Sequence, residues 1–297
     1  MKQYITTIIL AMLSIICMQA QPFNTEIKPE GKDAYLLGKV NKKGLSKCND
    51  NDWFKANFKE YETDNSIIDQ LDEDLSEYTI TAFMGTWCGD SKREIPRFYK
   101  VLEEANFPLE RLTMIAVSRD KETYKQSPGG EEEGLNIHRV PTFIFYKDGK
   151  EVNRIVESPV ESLEKDLQKI IQGNYRSKFE AVEIVDTFLD ENGWKKLQKK
   201  SKRLASQLNG KAENMYELNT YSHVLFYSDK KNEAVTVARL NTLLFPLEQK
   251  TYENLAHKLA KNGQQDEAIK SYEIALSMDT ENEKILSWIN QLKNSSH

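Results

Sequence analysis

Trp87-Cys88-Gly89-Asp90-Ser91 is the stretch on which the reading of this chain turns. Before it, Tyr78-Thr79-Ile80-Thr81-Ala82-Phe83-Met84 is a β-branched and aromatic run that reads as a buried strand, and it feeds the cysteine onto a helix. A thiol in the first turn of a helix faces unpaired backbone N–H groups and the positive end of the macrodipole, which favour thiolate over thiol. Asp90 opposes this by repulsion, although it can also cap the helix. A second sulfur at position 91 would release whatever became attached to the first. Ser91 cannot, but its hydroxyl can donate a hydrogen bond to a thiolate. Any redox chemistry here must therefore run through the single thiol of Cys88, with release left to another molecule or a distant sulfur.

Beyond the turn come Lys92-Arg93-Glu94-Ile95-Pro96 and then Arg139-Val140-Pro141-Thr142, followed by Phe143-Ile144-Phe145-Tyr146, Lys147-Asp148-Gly149-Lys150 and Glu151-Val152-Asn153-Arg154-Ile155-Val156. With Trp87-Cys88-Gly89, these motifs over residues 65 to 173 resemble the thioredoxin family, specifically its TlpA-like, extracytoplasmic branch. The resemblance implies an α/β thioredoxin fold, a central mixed sheet with flanking helices, in which a hairpin follows the substrate-binding proline and a helix closes the domain. It also implies a cis bond before Pro141, presenting the backbone of Val140 to an incoming peptide beside the sulfur. The site it implies has Cys88 and Ser91 in the chemistry, with Trp87, Gly89, Asp90, Arg139, Val140 and Pro141 binding substrate. Arg139 and His138 are either cations near Cys88 or solvated loop charges. Dithiol members carry a buried acid where this chain has Ala82, so the resolving sulfur and its acid are missing together. Gly85 stands where a peroxidase of the peroxiredoxin type would need Thr or Ser, which excludes that chemistry.

Met1-Lys2-Gln3 is weakly basic, Ile5 to Cys17 has the length of a signal-peptide core, and Met18-Gln19-Ala20-Gln21 offers a small residue for cleavage. Residues 1–20 thus read as a signal peptide for export to the periplasm. Lipidation at Cys17 is the weaker alternative, because Ile16 sits where a lipobox wants a small residue. Cys48 and Cys88 remain in the exported chain, and Cys48 either pairs with Cys88 or stays a free thiol. With 41 basic against 46 acidic side chains, well mixed, nucleic acid and anionic membranes are disfavoured as partners. The histidines His138, His223, His257 and His297 have no ligand spacing, so no metal or other cofactor is implied.

The chain divides into an N-terminal extension (21–62), the thioredoxin-like domain (63–173) and an all-α, tetratricopeptide-like domain (174–297). In the extension, Tyr35–Val40 reads as extended, and Trp53, Phe54, Phe58 and Tyr61 form a stripe that packs it onto the core. Glu122 to Asn136 reads as a long surface loop bordering the substrate groove. Tyr252, Leu255, Ala256, Leu259, Gly263, Ala268, Tyr272 and Ala275 fall at the spacing of a tetratricopeptide repeat, with a weaker copy one period earlier. Residues 175 to 212 supply further helices. Two functions follow. One is a periplasmic monothiol oxidoreductase acting on protein thiols or disulfides, released by an external thiol and able to hold a protein or peptide on its helical domain. The other is a redox-inert binding or assembly module.

Overall fold

A computed structural model describes residues 22–47 and 52–295. The expected signal peptide, Cys17 and Cys48 lie outside the described residues, as does His297.

The run before the cysteine forms β3, Thr79–Met84. Ile80, Ala82, Phe83 and Met84 are all buried, as a strand covered on both faces requires. It pairs in parallel with β4 (Leu112–Ala116) and antiparallel with β5 (Thr142–Lys147). β6 (Lys150–Val156) continues from β5 through Asp148 and Gly149, whose φ angles of 52° and 73° give the tight left-handed turn that their sequence announces. On the other edge, β2 (Tyr35–Val40) pairs antiparallel with β4, and β1 (Thr25–Ile27) with β2, giving a mixed sheet of order β1-β2-β4-β3-β5-β6. Strands β1 and β2 of the expected N-terminal extension, 21–62, are thus woven into the sheet. The short helix α1 (Lys42–Leu45) follows β2.

Parallel β3 and β4 need a crossover, which is α4, Gly89–Glu104, reached directly from the cysteine. Pro96 lies inside α4 and has no N–H for the Lys92 carbonyl. Asn57, on α2 (Trp53–Glu60), donates its Nδ2 to that carbonyl at 3.3 Å, so a neighbouring helix supplies the missing donor. With α3 (Asn65–Leu75) and α5 (Leu163–Ile171), these helices cover one face of the sheet over a core that includes Phe98, Phe143 and Phe145. Phe54 of the expected stripe packs there against Tyr99, ring centroids 5.8 Å apart. The opposite face carries a smaller cluster of Phe83, Ile115, Val117, Ile137, Val140 and Ile144, against which Trp87 and Cys88 pack.

From α6 onward the described residues are helical: α6 (Glu180–Leu208), α7 (Tyr216–Tyr227), α8 (Lys231–Leu244), α9 (Gln249–Lys261), α10 (Gln265–Met278) and α11 (Glu283–Ser295). Gly193, at φ 71° and ψ 164°, breaks α6 into two helical pieces. The small residues picked out by their spacing, Ala234, Ala238, Ala256, Ala268 and Ala275, are fully buried, so neighbouring helices approach closely. Val156 at the end of β6 shares a cluster with Phe179, Val182 and Val185, so the end of β6 is packed into the helical core.

Candidate functional site

Cys88 is the N-cap of α4, in extended conformation, with its carbonyl accepting from Lys92 N–H at 3.0 Å. Its own N–H donates to the Gly85 carbonyl at 2.9 Å, closing the turn that leaves β3. The turn is built around the indole of Trp87. A Cβ on Gly85 would lie 2.5 Å from that ring, so only glycine lets the ring fold back over the backbone. Trp87 Nε1 then donates to the Val117 carbonyl at 2.9 Å, and its ring tilts against Tyr124, centroids 6.3 Å apart. Thr86 Oγ1 accepts from Leu36 N–H at 3.0 Å, so the woven-in strand β2 also holds this turn.

The segment 138–141 forms a strap across the sulfur. The Val140–Pro141 bond is cis, and the Cys88 thiol donates to the Val140 carbonyl at 3.3 Å. Thr142 Oγ1 donates to the Arg139 carbonyl at 2.8 Å and Glu157 N–H to the Pro141 carbonyl at 2.7 Å, fixing the strap at both ends. Cys88 is partly accessible, Gly89 exposed and Val140 buried.

Several expected site residues are placed differently. Ser91 is fully buried, and its hydroxyl accepts from Gly85 N–H at 3.1 Å, so it holds the turn instead of facing the sulfur. Asp90 forms an ion pair with Arg93 at 2.8 Å, which offsets its repulsion of a neighbouring thiolate. Arg93 also pairs with the buried Glu94 at 2.6 Å. Neither residue expected to bring a cation near the sulfur is a free one. His138 is buried edge-on against Phe179 and Tyr221, and burial, reinforced by Lys125 and Arg139, pushes it down to about 3, so it is neutral. Arg139 pairs with Glu157 at 3.2 Å and lies 5.5 Å from the Phe179 ring.

The loop expected to be solvent-facing hides a residue that the sequence did not reveal. Lys125 is only 4% exposed and adopts a left-handed backbone, φ 61°; its N–H donates to the Ser118 carbonyl at 2.9 Å, and the Ser118 N–H donates to the carbonyl of the next residue, Gln126, at 2.9 Å. Its ammonium donates to the His138 carbonyl on the strap and sits 4.7 Å from the Tyr124 ring centroid. Burial and Arg139 push Lys125 down to about 7, while Cys88 and Glu157 pull the other way. A lysine among charged loop residues carries no sign of burial in its own sequence. Among the described residues no group of three or more His, Cys, Asp or Glu could hold a metal.

A cysteine at the head of the crossover helix, facing a cis-proline strap beside a mixed sheet, defines a thioredoxin fold followed by a helical region. Residues 60–171 match the family model described as Thioredoxin, and that segment is a thioredoxin-family domain. The chain is also similar to Thioredoxin Asp f 29 of Aspergillus fumigatus, with 28% identity over 102 residues, 34% of this chain and 86% of that protein.

Proposed function

We propose that this protein is an exported thiol-disulfide oxidoreductase that acts on protein clients through Cys88 alone. The observation that carries the reading is the partly accessible Cys88 sulfur, 3.3 Å from the Val140 carbonyl, at the edge a client backbone would meet. The thiolate attacks one sulfur of a client disulfide. That S–S bond breaks, a Cys88–client disulfide forms, and the other client sulfur leaves as thiolate. An external thiol then attacks the mixed disulfide, returning Cys88 as thiolate and carrying off the client in a new disulfide. Ser91 stands where an internal second sulfur would act, so the mixed disulfide persists until that thiol arrives. The hydrophobic start of the chain supports export to the periplasm, and the repeat-like spacing in the helical region supports a tetratricopeptide-like surface that holds the client.

Mixed-disulfide trapping with periplasmic extract tests this. Clients should be captured in reductant-sensitive adducts by the native protein and lost in Cys88→Ala. Capture that is unchanged in Cys88→Ala would establish a redox-inert binding module instead.

A further inference from the structure

We propose that Lys125 is the charge partner of Cys88: it takes up a proton as the thiolate forms and gives that proton up when the thiolate is consumed. This rests on Cys88 being the nucleophile of the preceding section. The strap connects the two groups. Its Val140 carbonyl accepts from the Cys88 thiol, and its His138 carbonyl, two residues earlier, accepts from Lys125 Nζ. Lys125 thus braces from the loop side the same peptide segment that the sulfur touches from the helix side.

The groups facing Lys125 leave Cys88 as its partner by elimination. Tyr124, on the same loop, is pushed up by burial and stays a neutral phenol. His138, on the strap, and His223, from α7, are both pushed down to about 3 and are neutral. Arg139 is a cation and repels. Glu157 attracts Lys125, but its carboxylate is shared between Arg139 at 3.2 Å and Lys178 at 3.4 Å. The position before the turn where an acid could sit is Ala82, fully buried and without charge. Of the two groups that pull Lys125 toward its charged form, Cys88 and Glu157, the carboxylate is already shared with two other cations, which leaves the sulfur. A buried amine near pH 7 changes charge when a neighbouring charge appears or vanishes.

The step balances within the exchange already described. Cys88 loses one proton as Lys125 gains one, giving thiolate and ammonium. Attack breaks the client S–S bond, forms the Cys88–client bond and releases a client thiolate. With its negative neighbour gone, Lys125 returns to the neutral amine, and the departing thiolate takes up the proton. Lys125 acts through Cys88 and does not touch the client.

The test is the rate of Cys88 alkylation by iodoacetamide in the full chain from pH 5.5 to 9, which needs no client. Lys125→Met keeps length and burial but carries no charge. We expect alkylation about tenfold slower at pH 7 and the midpoint of the rate profile raised by about one pH unit. A native rate and midpoint in Lys125→Met would overturn the proposal. Should that variant fail to fold, the Lys125 Cε resonance of the native protein is titrated by NMR before and after Cys88 is blocked with iodoacetamide. The midpoint should move to lower pH on blocking, and an unmoved midpoint would overturn the proposal. Loss of client trapping with these dependences intact would remove the oxidoreductase reading alone, and the converse result would remove the Lys125 assignment alone.

Discussion

Around the sulfur, burial pushes a short list of side chains away from the values at which they titrate in water, and His138 is the clearest. It belongs to the strap and is buried against Phe179 and Tyr221, and its Nε2 has no hydrogen-bond partner. A neutral buried ring stays neutral only while the protein is folded. With the folded value lowered to about 3 and the unfolded value near 6.5, the unfolded chain binds the extra proton between those limits. Stability from this group is therefore complete above pH 6.5 and is lost progressively as pH falls toward 3. His138→Gln, which cannot charge, should lose less stability than the native protein between pH 7.5 and 4.5, by on the order of 2 kcal/mol. Urea denaturation at the two pH values measures the difference, in which His223 and His257 cancel because both proteins retain them. Parallel losses in the two proteins would show that His138 charges in the folded state.

At the level of elements, the turn between β3 and α4 is the joint on which the sulfur's placement depends, and Ser91 serves it from the first turn of the helix. Ser91→Ala leaves the buried Gly85 N–H without its acceptor, a loss of about 1–3 kcal/mol. Because the hydroxyl faces the backbone and not the sulfur, client capture by Cys88 should stay within about twofold of native wherever the variant is folded. A native melting temperature with strongly reduced capture would place the hydroxyl on the thiol after all. This orientation was not legible in the sequence, since Trp87-Cys88-Gly89-Asp90-Ser91 fixes what a serine can do but not which way χ1 turns. Elements with a local signature were legible: the run ending at Met84, the Asp148-Gly149 turn, and the helix after the hairpin, α5. The place of β2 was not, because its register, Gly38 with Ala116 and Lys39 with Ile115, joins segments more than 70 residues apart. A local pattern carries no trace of such a partner. Lys125 and Tyr124 escaped for a related reason: the loop that bears them has no period, and its Pro-Gly and glutamate content speaks for solvent.

Across the whole molecule, that loop is a middle layer and not a fringe. Asn136 Nδ2 donates to Asp186 of α6 at 2.7 Å, and the Tyr221 hydroxyl of α7 donates to the same carboxylate oxygen at 2.5 Å. Gln126 Nε2 donates to the Tyr227 carbonyl at 2.7 Å, and Phe179 and Tyr221 close over His138. The helical region therefore supports the strap from behind, and a change at its base should be felt at Cys88. Asp186 is the point to test, since it accepts from the loop and from α7 at once. Asp186→Ala leaves the Tyr221 hydroxyl and Asn136 Nδ2 without this acceptor, at a cost of about 3 kcal/mol for two hydrogen bonds to a carboxylate. Asp186→Asn keeps an acceptor oxygen and should recover most of that loss. Limited proteolysis reads the coupling directly. In Asp186→Ala, cleavage between residues 122 and 136 should accelerate by more than tenfold before global unfolding, because the segment loses its tie to α6 at Asn136 while the sheet keeps its own core. Client capture should fall with it, as the strap loses the support that holds Val140 against the sulfur. Unchanged cleavage and capture in a folded Asp186→Ala protein would mean that the two parts merely touch, and that the α/β domain organises its site alone.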